Sequence, residues 1–187
     1  MPIQRQPYHP ARAAEAMPTP DVLAVFTVTL LFAGDRCLLL ERSSDRARLP
    51  GFWTGIGGRV EPHELNRLAE AARRELAEET GVPLDSLPTI VLRRVLLQHR
   101  PTSAELTVLL YFTGELPEPI PLPPGPEGVF HWVNTSTLET LPLADNARLV
   151  LPYLVTDQVR DPQGIEPVKL GIARCDARGR VVDVLWG

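Results

Sequence analysis

The segment Arg74-Glu75-Leu76-Ala77-Glu78-Glu79-Thr80-Gly81-Val82 packs three carboxylates into five residues. On a helix, Glu75 and Glu79 stand one turn apart, with Glu78 at the i+3 position between them. Like charges this close repel, and a cation among them removes the repulsion. Mg²⁺ or Mn²⁺ suits such a cluster, because hard divalent cations take oxygen ligands. A bare acidic run can equally be a solvated helix face, so the flanking residues decide. Gly81 is the residue expected just past a helix C-terminus. Upstream lies Gly57-Gly58-Arg59-Val60-Glu61-Pro62-His63-Glu64, in which five residues separate Gly58 from Glu64. Arg74 has two readings: an ion-pair partner that orients the helix within this constellation, or an ordinary i, i+4 partner of Glu70 or Glu78.

Gly-x5-Glu, a spacer, then Arg-Glu-Leu-x-Glu-Glu-x-Gly-Val closely resembles the Nudix box, a loop–helix–loop that holds divalent metal against a diphosphate. The resemblance implies that Glu75 and Glu79 hold metal. It makes Glu78 a ligand or the neighbour of one, lets the Gly58 carbonyl complete the coordination, and adds Glu64, the carboxylate at the helix entry, to the metal-binding residues. One departure stands out. The family spaces this Glu seven residues before Arg-Glu, whereas nine residues separate Glu64 from Arg74. Either the turn carries a two-residue insertion, or Asn66 falls in the Glu slot. The family also recruits an acid from outside the box. Glu105, Glu115, Glu118 and Glu127 are the choices, with Glu127 first because it precedes the apolar stretch 130–133.

Three further stretches resemble the MutT-type hydrolases of oxidised purine nucleoside triphosphates. They are Phe52-Trp53-Thr54-Gly55-Ile56-Gly57-Gly58-Arg59-Val60-Glu61, then Glu127-Gly128-Val129-Phe130-His131-Trp132-Val133, and finally Leu141-Pro142-Leu143-Ala144-Asp145 through Leu151-Pro152. The resemblance implies a nucleotide pocket lined by Trp53, Thr54, Gly57, Glu127, Asp145 and Asn146. It also implies release of pyrophosphate from a (d)NTP, 8-oxo-dGTP included, to leave the monophosphate. Thr54 stands where that group carries a base-reading Asn. A hydroxyl cannot donate and accept as fully as a carboxamide, which predicts relaxed purine selectivity. The signatures of the coenzyme A, ADP-ribose and NADH subfamilies are missing. Sugar nucleotides or dinucleoside polyphosphates are alternative substrates. A Nudix-fold module that binds nucleotides without cleaving them is the reading from another class.

The elements that must hold these residues follow from hydropathy. The stretch 22–32 (VLAVFTVTLLF) is β-branched and apolar, a buried strand. Cys37–Glu41 returns after Gly34-Asp35 as the second arm of a hairpin. The box helix is expected over 65–80, with Leu65, Leu68, Ala72 and Leu76 on its core side. Residues 90–99 and 105–113 read as strands around Pro101-Thr102-Ser103, and 117–126, dense in proline, reads as a connector. A short strand at 130–133, a short helix capped by Thr135 or Ser136, and a helix over 143–156 with Leu149, Val150 and Leu154 inward follow. A C-terminal hairpin turns at Gly179. Helices on both faces of a mixed sheet make an α/β/α sandwich.

The chain has 187 residues and a formal net charge of −4. This fits one domain over 21–187 behind a mobile, Pro-, Ala- and Arg-rich tail of residues 1–20. The charge argues against a nucleic-acid polymer as partner. No apolar run reaches bilayer length and no secretory signal is evident. Cys37 and Cys175, isolated in expected strands, read as reduced thiols of a cytoplasmic protein. Monomer and homodimer both remain open. His63, beside the glycine loop, is either a substrate contact or a solvent-facing turn residue.

Overall fold

The computed structural model describes residues 18–45 and 49–187; most of the tail expected over 1–20 lies outside them. The strands are β1 (Val22–Ala33), β2 (Arg36–Arg42), β3 (Trp53–Thr54), β4 (Ile90–His99), β5 (Glu105–Glu115), β6 (Gly128–Asn134), β7 (Lys169–Cys175) and β8 (Val181–Trp186). The helices are α1 (Leu68–Thr80) and α2 (Asp145–Arg160). One mixed sheet runs β3-β2-β1-β5-β4-β7-β8, with β6 added on β2. The β1–β5 and β4–β7 pairs are parallel. Helix α1 packs Ala71, Ala72 and Leu76 against one face of the sheet. Helix α2 covers the other with Val150, Leu151 and Leu154. This is the expected α/β/α sandwich.

Chain geometry near the box decides what the sheet can hold. β1 and β2 pair only at Phe32↔Cys37 and Ala33↔Arg36 before they diverge. The segment 56–60 runs into the gap and lies along β1 like an extra strand. Thr29 N–H donates to Ile56 O (2.6 Å), Thr27 N–H to Gly58 O (2.9 Å), and Val60 N–H to Val25 O (2.9 Å). Gly57 must be glycine here: its φ is +153°, and a Cβ would sit 2.2 Å from the Thr27 carbonyl oxygen.

Several local expectations need correction. The box helix begins at Leu68, not 65. A 3₁₀ turn at Pro62–Glu64 comes first, and Arg67 N–H then donates to Glu64 O (2.7 Å), so the two extra residues form a second turn. Leu65 therefore leaves the core and is 50% exposed. Asn134, rather than Thr135 or Ser136, caps the 3₁₀ stretch Thr135–Thr140, its Oδ1 accepting from Ser136 N–H. Helix α2 spans 145–160 rather than 143–156, and Leu151 is buried where Leu149 is only partly so. Elsewhere pattern and structure agree. Gly179 takes φ +78° in the β7–β8 turn and Gly81 takes φ +72° past α1. Cys37 and Cys175 are unpaired, and burial pushes the Cys37 thiol up to about 12. Among the described residues, no helix is long and apolar enough to cross a membrane.

Candidate active site

A cleft of about 800 Å³ opens between the glycine loop, the start of α2 and the ends of β4 and β5. Glu75 and Glu79 of α1 reach it from one side, and Glu127, just before β6, from another. A Cβ at Gly58 would lie 2.3 Å from Glu75 Oε2, so a side chain there would displace that carboxylate. The glycine loop thus presses directly on a carboxylate. Glu79 is half-buried in the cleft wall. Burial foremost, then the charges of Glu127 and Glu75, push its carboxyl up to about 8, although the Gly57 N–H and Arg42 favour its ionised form. Its Oε2 is buried without a hydrogen-bond partner among the described residues. Burial also raises Glu75, against the pull of Arg74.

The rest of the box supports these two acids from behind. Arg74 takes a forked grip on Glu64, Nε to Oε1 at 2.8 Å and Nη2 to Oε2 at 2.9 Å. Its Nη1 donates to Glu75 Oε1 and Glu78 Oε2, both at 2.8 Å. Glu64 is 7% exposed, and its Oε2 also accepts from Glu61 N–H (3.0 Å). Held chiefly by Arg74, its carboxyl falls to about 2. Arg74 has no bond to Glu70, which pairs with Arg67 instead. Asn66 is exposed.

The structure thus brings some expected site residues together and separates others. Glu75, Glu79, Gly57, Gly58, Thr54, Glu127, Asp145 and Asn146 all line the cleft. Glu64 and Arg74 lie behind it, locked to each other. Glu78 turns outward, its side chain 59% exposed on Arg74. Trp53 does not line the cleft; it stacks on His131 with ring centroids 4.6 Å apart and packs against the core. His63 is exposed in the turn before α1. Of the acids considered outside the box, Glu127 lies in the cleft with Arg42 Nη1 at 2.5 Å, and Glu105 lines it too. Glu115 accepts from Gln158 instead (3.2 Å), and Glu118 is exposed. The motif reading missed Arg42, Arg59, Gln98 and Arg100, all cleft residues. The polar alternation Ser103, Glu105, Thr107 was a usable sign of a strand face turned to a solvated cleft.

Among the described residues, no three His, Cys, Asp or Glu side chains form a ready cation cage. The donor set still fits a hard divalent ion. Glu79 carries a buried oxygen without a partner, and Glu75 abuts the Gly58 backbone. Gly58 O accepts one hydrogen bond, from Thr27 N–H, leaving a lone pair.

Fold and site together define a hydrolase of the kind that works on phosphate anhydrides with acidic residues. The NUDIX domain family matches residues 21–154. Among solved structures, a MutT protein from Bacillus halodurans superposes with a TM-score of 0.65 at 17% identity, covering 87% of this chain and 97% of that one. A MutT NUDIX hydrolase from Burkholderia pseudomallei gives 0.56 at 25% identity, covering 68% and 95%. The dihydroneopterin triphosphate pyrophosphohydrolase of E. coli gives 0.57 at 22% identity, covering 73% and 99%. No curated protein sequence matches the chain. The chain belongs to the Nudix family. It is a MutT-like Nudix hydrolase, a class that acts on substrates built around a nucleoside diphosphate.

Proposed function

We propose that this protein is a divalent-metal-dependent nucleotide diphosphatase of the cytoplasm. Its substrates are purine nucleoside triphosphates, oxidised ones included, which it cleaves to the monophosphate and pyrophosphate. The observation that carries the reading is that Glu75 and Glu79 from α1 and Glu127 from the segment before β6 line one cleft large enough for a nucleotide. Glu75, Glu79 and the Gly58 carbonyl are assigned to hold Mg²⁺ or Mn²⁺, with Glu78 available at the outer edge. The ion would withdraw charge from the phosphate oxygens and lower the pKa of bound water.

The chain's own groups supply the rest. Arg74 is assigned as a positioning residue, since it fixes Glu75 and Glu78 while gripping Glu64. Glu64 keeps the helix-entry carboxylate role across the longer turn. Glu127 is assigned to orient the attacking water and take its proton, a role worth about 10²- to 10⁴-fold in rate. Thr54, Asp145 and Asn146 are assigned to the nucleoside end. Trp53 supports Thr54 from the core side by its stack on His131.

A substrate panel tests this. With Mg²⁺ present, dGTP and 8-oxo-dGTP should yield pyrophosphate and the monophosphate, with only modest preference for the oxidised base. Sugar nucleotides and dinucleoside polyphosphates should react at least tenfold more slowly. Phosphate as the sole inorganic product, or no turnover of any nucleotide, would overturn it.

A further inference from the structure

The floor of the cleft changes character along its length, and strand register gives the order. On the α2 side of the sheet, Phe26 lies beside Leu109, and Leu109 beside Leu96. One step on, Ala24 lies beside Thr107, and Thr107 beside Gln98. One further step brings Glu105 on β5 and, past the end of β4, Arg100. Phe26, Leu109, Thr107, Gln98, Glu105 and Arg100 all line the cleft. The acids lie beyond the other end of this series, where Gly58 pairs with Thr27. A ligand with phosphates at the acids would lay its base along the apolar row and its hydrogen-bonding edge on the polar one.

The polar row is specific in what it offers. Gln98 is 3% exposed. With its amide oxygen toward Arg100, it accepts from Nε and Nη2, each at 2.8 Å. That leaves the N–H₂ group as all it has to present elsewhere. Glu105 offers only acceptors. Its Oε1 takes the Thr107 hydroxyl at 3.0 Å, and its N–H is tied to Ser103 Oγ at 3.0 Å. Arg100 is in turn anchored outside the cleft: its Nη1 donates to the Gly179 carbonyl in the β7–β8 turn. That turn lies beyond residues 21–154, the part of the chain matched to the family.

We propose that Gln98 and Glu105 read the edge of the nucleobase, and that the base is a guanine-type purine. Arg100, held by the C-terminal hairpin, is the positioning residue that fixes which way the Gln98 amide points. This rests on the nucleoside triphosphate reading above. A guanine edge carries a carbonyl oxygen at C6 followed by N–H donors at N1 and N2. The carbonyl suits the Gln98 N–H₂ and the donors suit the Glu105 carboxylate. Adenine has an amino group at C6 and an acceptor at N1. It sets donor against donor at Gln98 and acceptor against acceptor at Glu105, and a buried polar group left unpaired is costly. The hairpin thereby joins the substrate-selecting apparatus without touching substrate.

Steady-state kinetics with dGTP, dATP, dCTP and dTTP, on the wild type and on Gln98→Leu, Glu105→Gln and Arg100→Lys, test the proposal. The wild type should favour dGTP over dATP in kcat/KM. Each variant should cut that ratio about tenfold, the loss residing in KM. Gln98→Leu combined with Arg100→Lys should be no worse than Gln98→Leu alone, because Arg100 acts through Gln98. Calorimetric binding of GMP and AMP reads the same preference without turnover. Absent hydrolysis with GMP still preferred would sink the triphosphate reading and sustain this one. Equal binding of GMP and AMP, or an unchanged dGTP to dATP ratio in folded Gln98→Leu and Glu105→Gln, would overturn it. Should Arg100→Lys fail to fold, those two variants still decide.

Discussion

Two arginine-centred clusters hold this molecule together, and they are built to different ends. At the box, Arg74 binds Glu64, Glu75 and Glu78 on one side of α1, while Glu79 stands outside that grip, with the charge of Arg42 and the Gly57 N–H set against its burial. Under α2, Arg94 grips Asp157 with two bonds, 2.6 and 2.8 Å. Its guanidinium sits 4.7 Å from the Tyr153 ring centroid and 4.5 Å from that of Trp186. Arg93 beside it bonds Thr113, Asp161, Gln158 and the Pro162 carbonyl. The second cluster is balanced: buried charge meets opposite charge and aromatic faces, and it fastens β4 to α2 and to the C-terminal hairpin. The first is unbalanced toward the cleft. A buried carboxylate oxygen without a partner is a standing cost to the fold, and the chain keeps it where substrate and cation would arrive.

The sharpest way to break this contrast is at Glu79. Glu79→Gln keeps shape and removes charge, and turnover should fall about a hundredfold or more, with less than a tenth of wild-type activity left at saturating Mg²⁺. Stability should move the other way. A carboxyl whose folded pKa, about 8, lies above the ordinary 4.5 takes up a proton on folding. The metal-free wild type should therefore lose stability as pH rises between those values, and Glu79→Gln should lose much less. Thermal melts across that range, with chelator present, measure the slope. A variant as pH-sensitive as the wild type would show that Glu79 is not the strained group.

At the balanced cluster the expectation is reversed. Asp157→Asn leaves Arg94 buried without its counter-charge and strips Lys169 of a partner 3.4 Å away. Breaking a buried pair from one side costs about 3 kcal/mol. Tm should drop by several degrees while kcat of the folded fraction stays near wild type. A large loss of kcat at unchanged Tm would mean that the two clusters are not divided into site and scaffold.

The contrast also explains what could be read from the chain. The box was legible because its acids, glycines and spacing are local, and one helix and one loop carry them. The strands were legible from apolar runs such as 22–32, and the Gly179 turn from its glycine. The Arg93–Arg94 anchor was not. Simple alternation sends adjacent residues to opposite faces, but a bulge between Leu92 and Arg94 lets both arginines bond α2-side partners. Leu65 was misplaced for a related reason. Its apolar type suits a helix stripe, but whether the stripe begins at 65 or 68 depends on how two extra residues close a turn. The cleft floor was hidden because Gln98 and Thr107 meet only through strand pairing.

That turn gives the smallest and most discriminating expectation. Counting back from Arg74 puts Asn66 in the family's Glu slot; the fold instead gives Arg74 to Glu64 and leaves Asn66 exposed. Glu64→Gln should weaken the fork on Arg74, loosen Glu75 and lower kcat about tenfold, while Asn66→Ala should change neither kcat nor Tm. The sign with pH follows from the carboxyl's lowered pKa. With the folded value near 2 and the ordinary value 4.5, Glu64 stabilises the fold fully above 4.5, and this contribution fades as pH falls toward 2. Glu64→Gln should therefore flatten the acid limb of the stability curve and leave its neutral-to-alkaline side, where Glu79 titrates, as it was. Urea melts at several pH values between 2 and 8 separate the two limbs. If Asn66→Ala proves the costlier substitution, the longer turn does not close as the fold has it, and Arg74 draws its partner from position 66.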